Sequence, residues 1–250
     1  MAIRIITDST SDFTRAEAAQ LGLEIVPLKT RFGDEEYIDG VTISPKEFYE
    51  KLIEGDVLPT TSQPSPSEFE EVYDRVLGPE DAAVVITISA ELSGTCQSAL
   101  IAAEKYEGRV YVVDSRSASI GTQILVRRAL ELAPGAKGAA ELAHQLTQER
   151  EKVCVIALLD TLEYLKRGGR ISPAVAFAGG VRAIKPVVSI QDGAVQLVGR
   201  ARGSKNGNNL LSEFIKKRGG VDFSLPHTLG YTGLSDALLQ KYVHDSAHLW

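Results

Sequence analysis

Ala83-Val84-Val85-Ile86-Thr87-Ile88 is a short run with one polar side chain, and it leads directly into Ser89-Ala90-Glu91-Leu92-Ser93-Gly94-Thr95. An apolar run of this length, bounded by turn residues, reads as a strand buried on both faces. The serine-rich turn then opens a helix predicted over residues 93–106. A strand apolar on both sides needs helices on both sides, so the flanking sequence should alternate between the two periods. Upstream, residues 3–7 read as a buried strand, 12–21 as a short helix and 23–28 as a strand. Residues 45–54 form a helix behind the candidate cap Ser44, with Pro45 in its first turn. Residues 67–77 form another, with Phe69, Val72, Tyr73 and Val76 on one face. Downstream come a strand at 110–113 and helices near 119–133 and 137–151, separated by Pro134-Gly135. The pattern predicts an α/β fold with a parallel sheet covered on both faces. Such sheets take ligands at the carboxyl ends of their strands. The functional search therefore belongs after Thr7, around Thr60 and after Ile88.

The second half changes character. A strand at 153–158 precedes a short helix at 161–167 that ends in Gly168-Gly169. Residues 174–182 are mostly small and apolar. Two strands, 184–190 and 194–200, flank Gln191-Asp192-Gly193, a strong hairpin signal. A basic helix at 204–218, a strand at 228–231 and a helix at 235–247 complete the reading. This places an N-terminal parallel-sheet α/β domain over residues 1–150 and a C-terminal α+β domain over 151–250.

The 250 residues are 44% hydrophobic and 24% charged, enough for two modest cores. A net charge of −6 argues against a dedicated nucleic-acid surface, which needs clustered Lys and Arg. Cys96 and Cys154 lie far apart and form no C-x-x-C pair, so neither a zinc site nor a redox dithiol is expected. The amino end runs straight into a strand with no secretion signal, and no run approaches the ~18 apolar residues of a membrane span. A cytoplasmic protein is the expectation.

Three polar clusters stand where strands should end. Asp8, in Thr7-Asp8-Ser9-Thr10-Ser11-Asp12, either caps the next helix or orients a ligand. Thr60-Thr61-Ser62, held between Pro59 and Pro64, is either a rigid donor array for a carboxylate or phosphate, or an ordinary loop before a helix. Ser93-Gly94-Thr95 opens a helix, where backbone donors and the helix dipole favour an anion, or it is a plain cap. Neither a Walker A loop nor a G-x-S-x-G elbow is present. Arg beside Gly in residues 166–170 and 199–205 offers anion partners or simply a solvated basic surface. His144, His227, His244 and His248 show no metal-ligand spacing, and no nucleophile comes with its own base.

Taken together, these stretches resemble the DegV family of fatty-acid-binding proteins. The resemblance is carried by Ile5-Ile-Thr-Asp-Ser-Thr-Ser-Asp12, Ile25-Val-Pro-Leu28, Gly40, Thr60-Thr-Ser-Gln-Pro-Ser-Pro66 and Ser93-Gly-Thr-Cys-Gln-Ser98. Val113-Asp-Ser-Arg-Ser-Ala118, Leu162-Glu-Tyr-Leu-Lys-Arg-Gly-Gly-Arg-Ile171 and Ile184-Lys-Pro186 extend it over nearly the whole chain. It implies a long-chain, palmitate-like fatty acid held between the two domains, with no cofactor. The carboxylate would sit on Thr61, Ser62, Ser93, Gly94 and Thr95, and the tail in the second domain near residues 174–188. It further implies a carrier subunit, not an enzyme, that presents the acid to a fatty acid kinase for phospholipid synthesis. Arg202 would serve the phosphate chemistry. Relatives end in an H-x-G-P-G segment, whereas this sequence stops at His248-Leu249-Trp250, and Tyr231 stands where relatives often place histidine. Those departures imply retained carboxylate binding and weakened phosphoryl transfer. The rival reading is a serine-dependent hydrolase or phosphotransferase acting through Ser93.

Overall fold

The computed structural model describes residues 2–174 and 184–249. The chain divides into two compact units, Met1–Val153 and Cys154–Trp250. Among the described residues, no helix is long and apolar enough to cross a membrane.

The first unit is built on a four-stranded sheet of β1 (Ile3–Asp8), β2 (Glu24–Val26), β6 (Ala82–Thr87) and β7 (Val110–Asp114), in the order β2-β1-β6-β7. Every pairing is parallel, with Ile5 opposite Val84 and Ile86 opposite Val113. Successive residues point to opposite faces, so the apolar run of β6 serves two cores at once. Val84 and Ile86 pack with Ile5, Val113, Leu125, Leu142 and Leu146 on one side. Ala83 and Val85 pack with Ile6, Val26, Phe69, Tyr73 and Ala99 on the other. Helices α1 (Arg15–Leu21), α5 (Ile120–Leu132) and α6 (Ala139–Glu149) cover the first face, and α3 (Pro66–Val76) and α4 (Thr95–Ala103) the second. Phe69 and Tyr73 are wholly buried, and each side chain contributes roughly 2–3 kcal/mol through burial. The alternation and the two-sided cover agree with the reading of residues 83–88.

Three helices start with reciprocal capping. Thr14 with Glu17 caps α1, Ser44 with Glu47 caps α2 (Pro45–Glu54), and Ser65 with Glu68 caps α3. Each pair satisfies two N–H groups that a helix cannot satisfy for itself. A small antiparallel sheet of β3 (Lys29–Phe32), β4 (Glu35–Ile38) and β5 (Thr60–Ser62) completes the unit, in the order β4-β3-β5. The Thr60–Ser62 run is thus an exposed edge strand rather than a loop, with Thr61 opposite Thr30.

The second unit holds an antiparallel sheet of β8 (Val155–Leu158), β9 (Ile184–Gln191) and β10 (Ala194–Arg202), in the order β10-β9-β8. Asp192 and Gly193 form the hairpin turn at φ +51° and +81°, the left-handed pair a two-residue turn requires. Val188 joins Leu162, Ile171, Ala157 and Leu197 on one face, beside α7 (Glu163–Arg167). Leu158 points to the other face, where it meets Gly207 of α8 (Gly203–Lys217). Helix α9 (Ala237–Asp245) buries Tyr242.

The strand expected at 228–231 is not formed: residues 226–232 carry neither strand nor helix. A lone extended segment is held only by pairing with a neighbour. Here Pro226 precedes it, and Gly233 at φ +101° turns the chain away just after it. Residues 175–183, most of the small apolar stretch expected to line a tail pocket, lie outside the described residues.

Candidate functional site

The carboxyl ends of β1, β6 and β7 carry a dense set of buried hydroxyls and carboxylates. Asp8 ends β1, and its carboxylate accepts hydrogen bonds from the backbone N–H of Ile88 at 2.8 Å and of Thr10 at 2.9 Å. The Thr10 hydroxyl donates to it as well. Burial pushes the Asp8 pKa up, against the lowering by these donors and together with the nearby Asp39 charge. With its carboxylate bonded to the Ile88 and Thr10 backbone and the Thr10 hydroxyl, Asp8 cross-links two strand ends and caps the Ser9–Ser11 turn. Of its two readings, the structure favours the cap.

The turn after β6 is fixed by Ser89. Its N–H donates to the Ser117 carbonyl at 2.8 Å, and its carbonyl accepts from the Ser93 N–H at 3.1 Å. This presents Ser93-Gly94-Thr95 at the start of α4. The Thr95 N–H donates to Ser93 Oγ at 3.3 Å, and the two hydroxyls lie 2.9 Å apart. Thr95 is fully buried, whereas Ser93 and Gly94 are half-buried and so reachable from solvent. The first turn of this nine-residue helix directs the positive end of its peptide dipoles toward the turn. Beneath it the buried Thr87 hydroxyl has no nitrogen or oxygen partner among the described residues and lies beside the Cys96 thiol.

Strand β5 reaches this turn through its next residue. The Gln63 carboxamide lies over Gly94, and Gln63 Nε2 donates to Ser98 Oγ at 3.3 Å, inside α4. Gln63 thus ties the end of β5, which carries Thr61 and Ser62, to the Ser93–Thr95 turn. Thr61 and Ser62 are exposed on the edge strand. Arg202 belongs to the second unit, where it ends β10, precedes α8 and is exposed. Among the described residues no group of three or more His, Cys, Asp or Glu is placed to hold a metal ion.

The rival reading of Ser93 as a nucleophile needs a base in reach of its hydroxyl. Among the described residues that hydroxyl is engaged with Thr95, and no histidine accompanies it: His144 meets Gln148, and His227 meets the Leu225 carbonyl. Chemically, neutral hydroxyls and backbone N–H groups of this kind can bind and orient an anion. Sequence reasoning missed Gln63 as part of this arrangement. Its one signal was its place directly after the hydroxyl run, which does not say where the side chain points.

An open parallel sheet with buried hydroxyls at its strand ends, followed by an antiparallel second unit, defines a two-unit α/β fold. The comparisons with known proteins carry this further. Residues 2–242 match the family model described as "Uncharacterised protein, DegV family". A DegV domain-containing protein of Deinococcus radiodurans is 37% identical over 234 residues, covering 92% of this chain and 83% of the relative. This chain belongs to the DegV family. Among solved structures, a Thermus thermophilus DegV family protein described by its fatty acid binding superposes with a TM-score of 0.85. It is 35% identical, covering 99% of this chain and 88% of that one. A DegV family protein from Eubacterium eligens, loaded with heptadecanoic acid, gives a TM-score of 0.76 at 25% identity, covering 88% and 79%.

Proposed function

We propose that this protein binds a long-chain fatty acid non-covalently and carries it as a soluble cytoplasmic subunit. Its carboxylate is held by Thr61, Ser62, Ser93, Gly94 and Thr95. The observation that carries this reading is the meeting of the residue after β5 with the first turn of α4, where Gln63 lies over Gly94 and bonds Ser98 beside the Ser93 and Thr95 hydroxyls. The fatty acids bound by the Thermus thermophilus and Eubacterium eligens relatives support the choice of ligand. In this reading the carboxylate lies on the loops of the first unit, and an apolar lining takes the tail. Burial of each methylene contributes about 0.8 kcal/mol, so a sixteen-carbon tail offers roughly 10 kcal/mol before the costs of association. The tail then sets affinity, and the hydroxyl cradle sets orientation. The free thiols Cys96 and Cys154 fit a reducing compartment.

The same reading makes the protein a carrier that hands the acid to a fatty acid kinase, with Arg202 serving the phosphorylated product or the kinase. The direct experiment is solvent extraction and mass spectrometry of the purified protein beside a Thr61→Ala, Ser93→Ala double variant. Each hydroxyl bonded to a charged group contributes about 1.5–3 kcal/mol. The native protein should yield a stoichiometric fatty acid and the variant far less. Full occupancy in the variant would remove these residues from the site.

A further inference from the structure

Gly94 has φ −71° and ψ 3°, a conformation open to any L residue, so its backbone does not call for glycine. Space does. A β-carbon placed there would stand 2.2 Å from Gln63 Oε1 and 2.5 Å from Gln63 Nε2, distances no real contact allows. The bare Cα of Gly94 is the floor on which the Gln63 carboxamide lies, and Nε2 reaches one turn further to Ser98 Oγ. This contact spans two separate pieces of structure. Gln63 follows β5, a three-residue edge strand that pairs with β3 of the small sheet and is exposed along its length. Gly94 is the N-cap residue of α4 and Ser98 lies within it, and α4 is packed on the large parallel sheet.

We propose that Gln63 is a positioning residue that clamps the β5 hydroxyls to the α4 turn, and so sets the protein's preference for a carboxylate over an uncharged headgroup. The proposal rests on the reading of these loops as a carboxylate site. Donors that belong to different sheets bind an anion well only when their mutual geometry is fixed beforehand; otherwise each binding event must order them. A three-residue edge strand has little of its own to fix it. The Gln63 clamp supplies that order, and the glycine exists to admit it.

The test uses the full chain, stripped of lipid, with palmitate and hexadecanol as probes that share a tail and differ in headgroup. Affinities are read by displacement of a fluorescent fatty acid for the native protein, Gln63→Ala, Gln63→Leu, Gly94→Ala and the Gln63→Ala, Gly94→Ala double variant. Gln63→Ala and Gln63→Leu should each weaken palmitate about tenfold and leave hexadecanol within twofold, since the tail's burial is untouched. Gly94→Ala should match that loss by expelling the carboxamide. In the Gln63→Ala background the added methyl has room, so the double variant should bind as Gln63→Ala does. Equal weakening of acid and alcohol, or additive losses in the double variant, overturns the clamp. Should Gly94→Ala fail to fold, the two Gln63 variants decide the matter alone. A native protein that takes up no palmitate overturns the carboxylate reading itself. A native protein that prefers palmitate by a margin unchanged in both Gln63 variants overturns only the role of Gln63.

Discussion

Asp12 shows how much at the residue scale comes from the folded chain alone. Its backbone is left-handed at φ +58°, and its carboxylate accepts a hydrogen bond from Ser119, which is itself held at φ +53° before α5. Burial, with the Asp39 and Asp8 charges adding to it, pushes its pKa from 3.8 up to about 6, against the Ser119 hydrogen bond. Because the folded value lies above the unfolded one, the stabilisation from protonated Asp12 is complete below about pH 4 and is lost as pH rises through 6. Asp39 and Asp8 are pushed in the same direction, chiefly by burial, so each likewise favours the folded state more when protonated than when charged. Asp12→Asn keeps an acceptor for Ser119, tolerates the left-handed backbone and removes the charge. We expect it to stabilise the protein at pH 7.5 by about 1 kcal/mol, a figure reduced for the solvent that still reaches this residue, and to have little effect at pH 4. Urea unfolding at both pH values measures this; an equal effect at the two would disprove it. None of this was legible beforehand. The sequence shows Asp8 and Asp12 as acids in a serine-rich turn, but Ser119 stands 107 positions away from Asp12.

At the scale of elements, what was legible is what local chemistry decides. Ser44 and Pro45 announced α2, the apolar run at 83–88 announced β6, and Asp192-Gly193 announced the hairpin. What was not legible is what only a neighbour decides. The β3–β4 hairpin and the strand character of Thr60–Ser62 depend on pairing across residues 29–32. The expected strand at 228–231 fails for want of such a partner. Gly207 makes the same point inside a helix. An exposed Gly→Ala change in mid-helix normally stabilises by up to about 1 kcal/mol. Here a β-carbon would stand 2.5 Å from both terminal carbons of Leu158 on β8. A methyl group there fits only if the Leu158 side chain moves aside. We therefore expect Gly207→Ala to destabilise by about 1–2 kcal/mol despite the gain in propensity. Leu158→Ala should make room, so the double variant should lose less than the sum of the two single losses. Thermal unfolding of the three proteins checks this, and a higher melting temperature for Gly207→Ala would show that the packing yields.

At the scale of the whole molecule the two halves differ in charge. Residues 1–153 hold 15 Lys and Arg against 26 Asp and Glu, while residues 154–250 hold 12 against 7. The proposed carboxylate cradle thus uses neutral hydroxyls and peptide dipoles within a strongly acidic unit. This choice has a consequence that an arginine-based site would reverse. Long-range repulsion between the first unit and an incoming carboxylate is screened by salt, whereas the short hydroxyl contacts are screened much less. Raising ionic strength should therefore leave palmitate affinity unchanged or improve it by up to about threefold, after division by the affinity for hexadecanol to remove the salting-out of the tail. Were the carboxylate held chiefly by the exposed Arg202, the same titration would weaken palmitate, because an exposed ion pair loses strength with salt. Arg202→Ala sharpens the distinction. On the present reading it leaves the copurified fatty acid at native occupancy and reduces acyl-phosphate formation with a fatty acid kinase. A palmitate affinity that falls with salt, together with a lipid-free Arg202→Ala protein, would move the carboxylate from the hydroxyl cradle to Arg202.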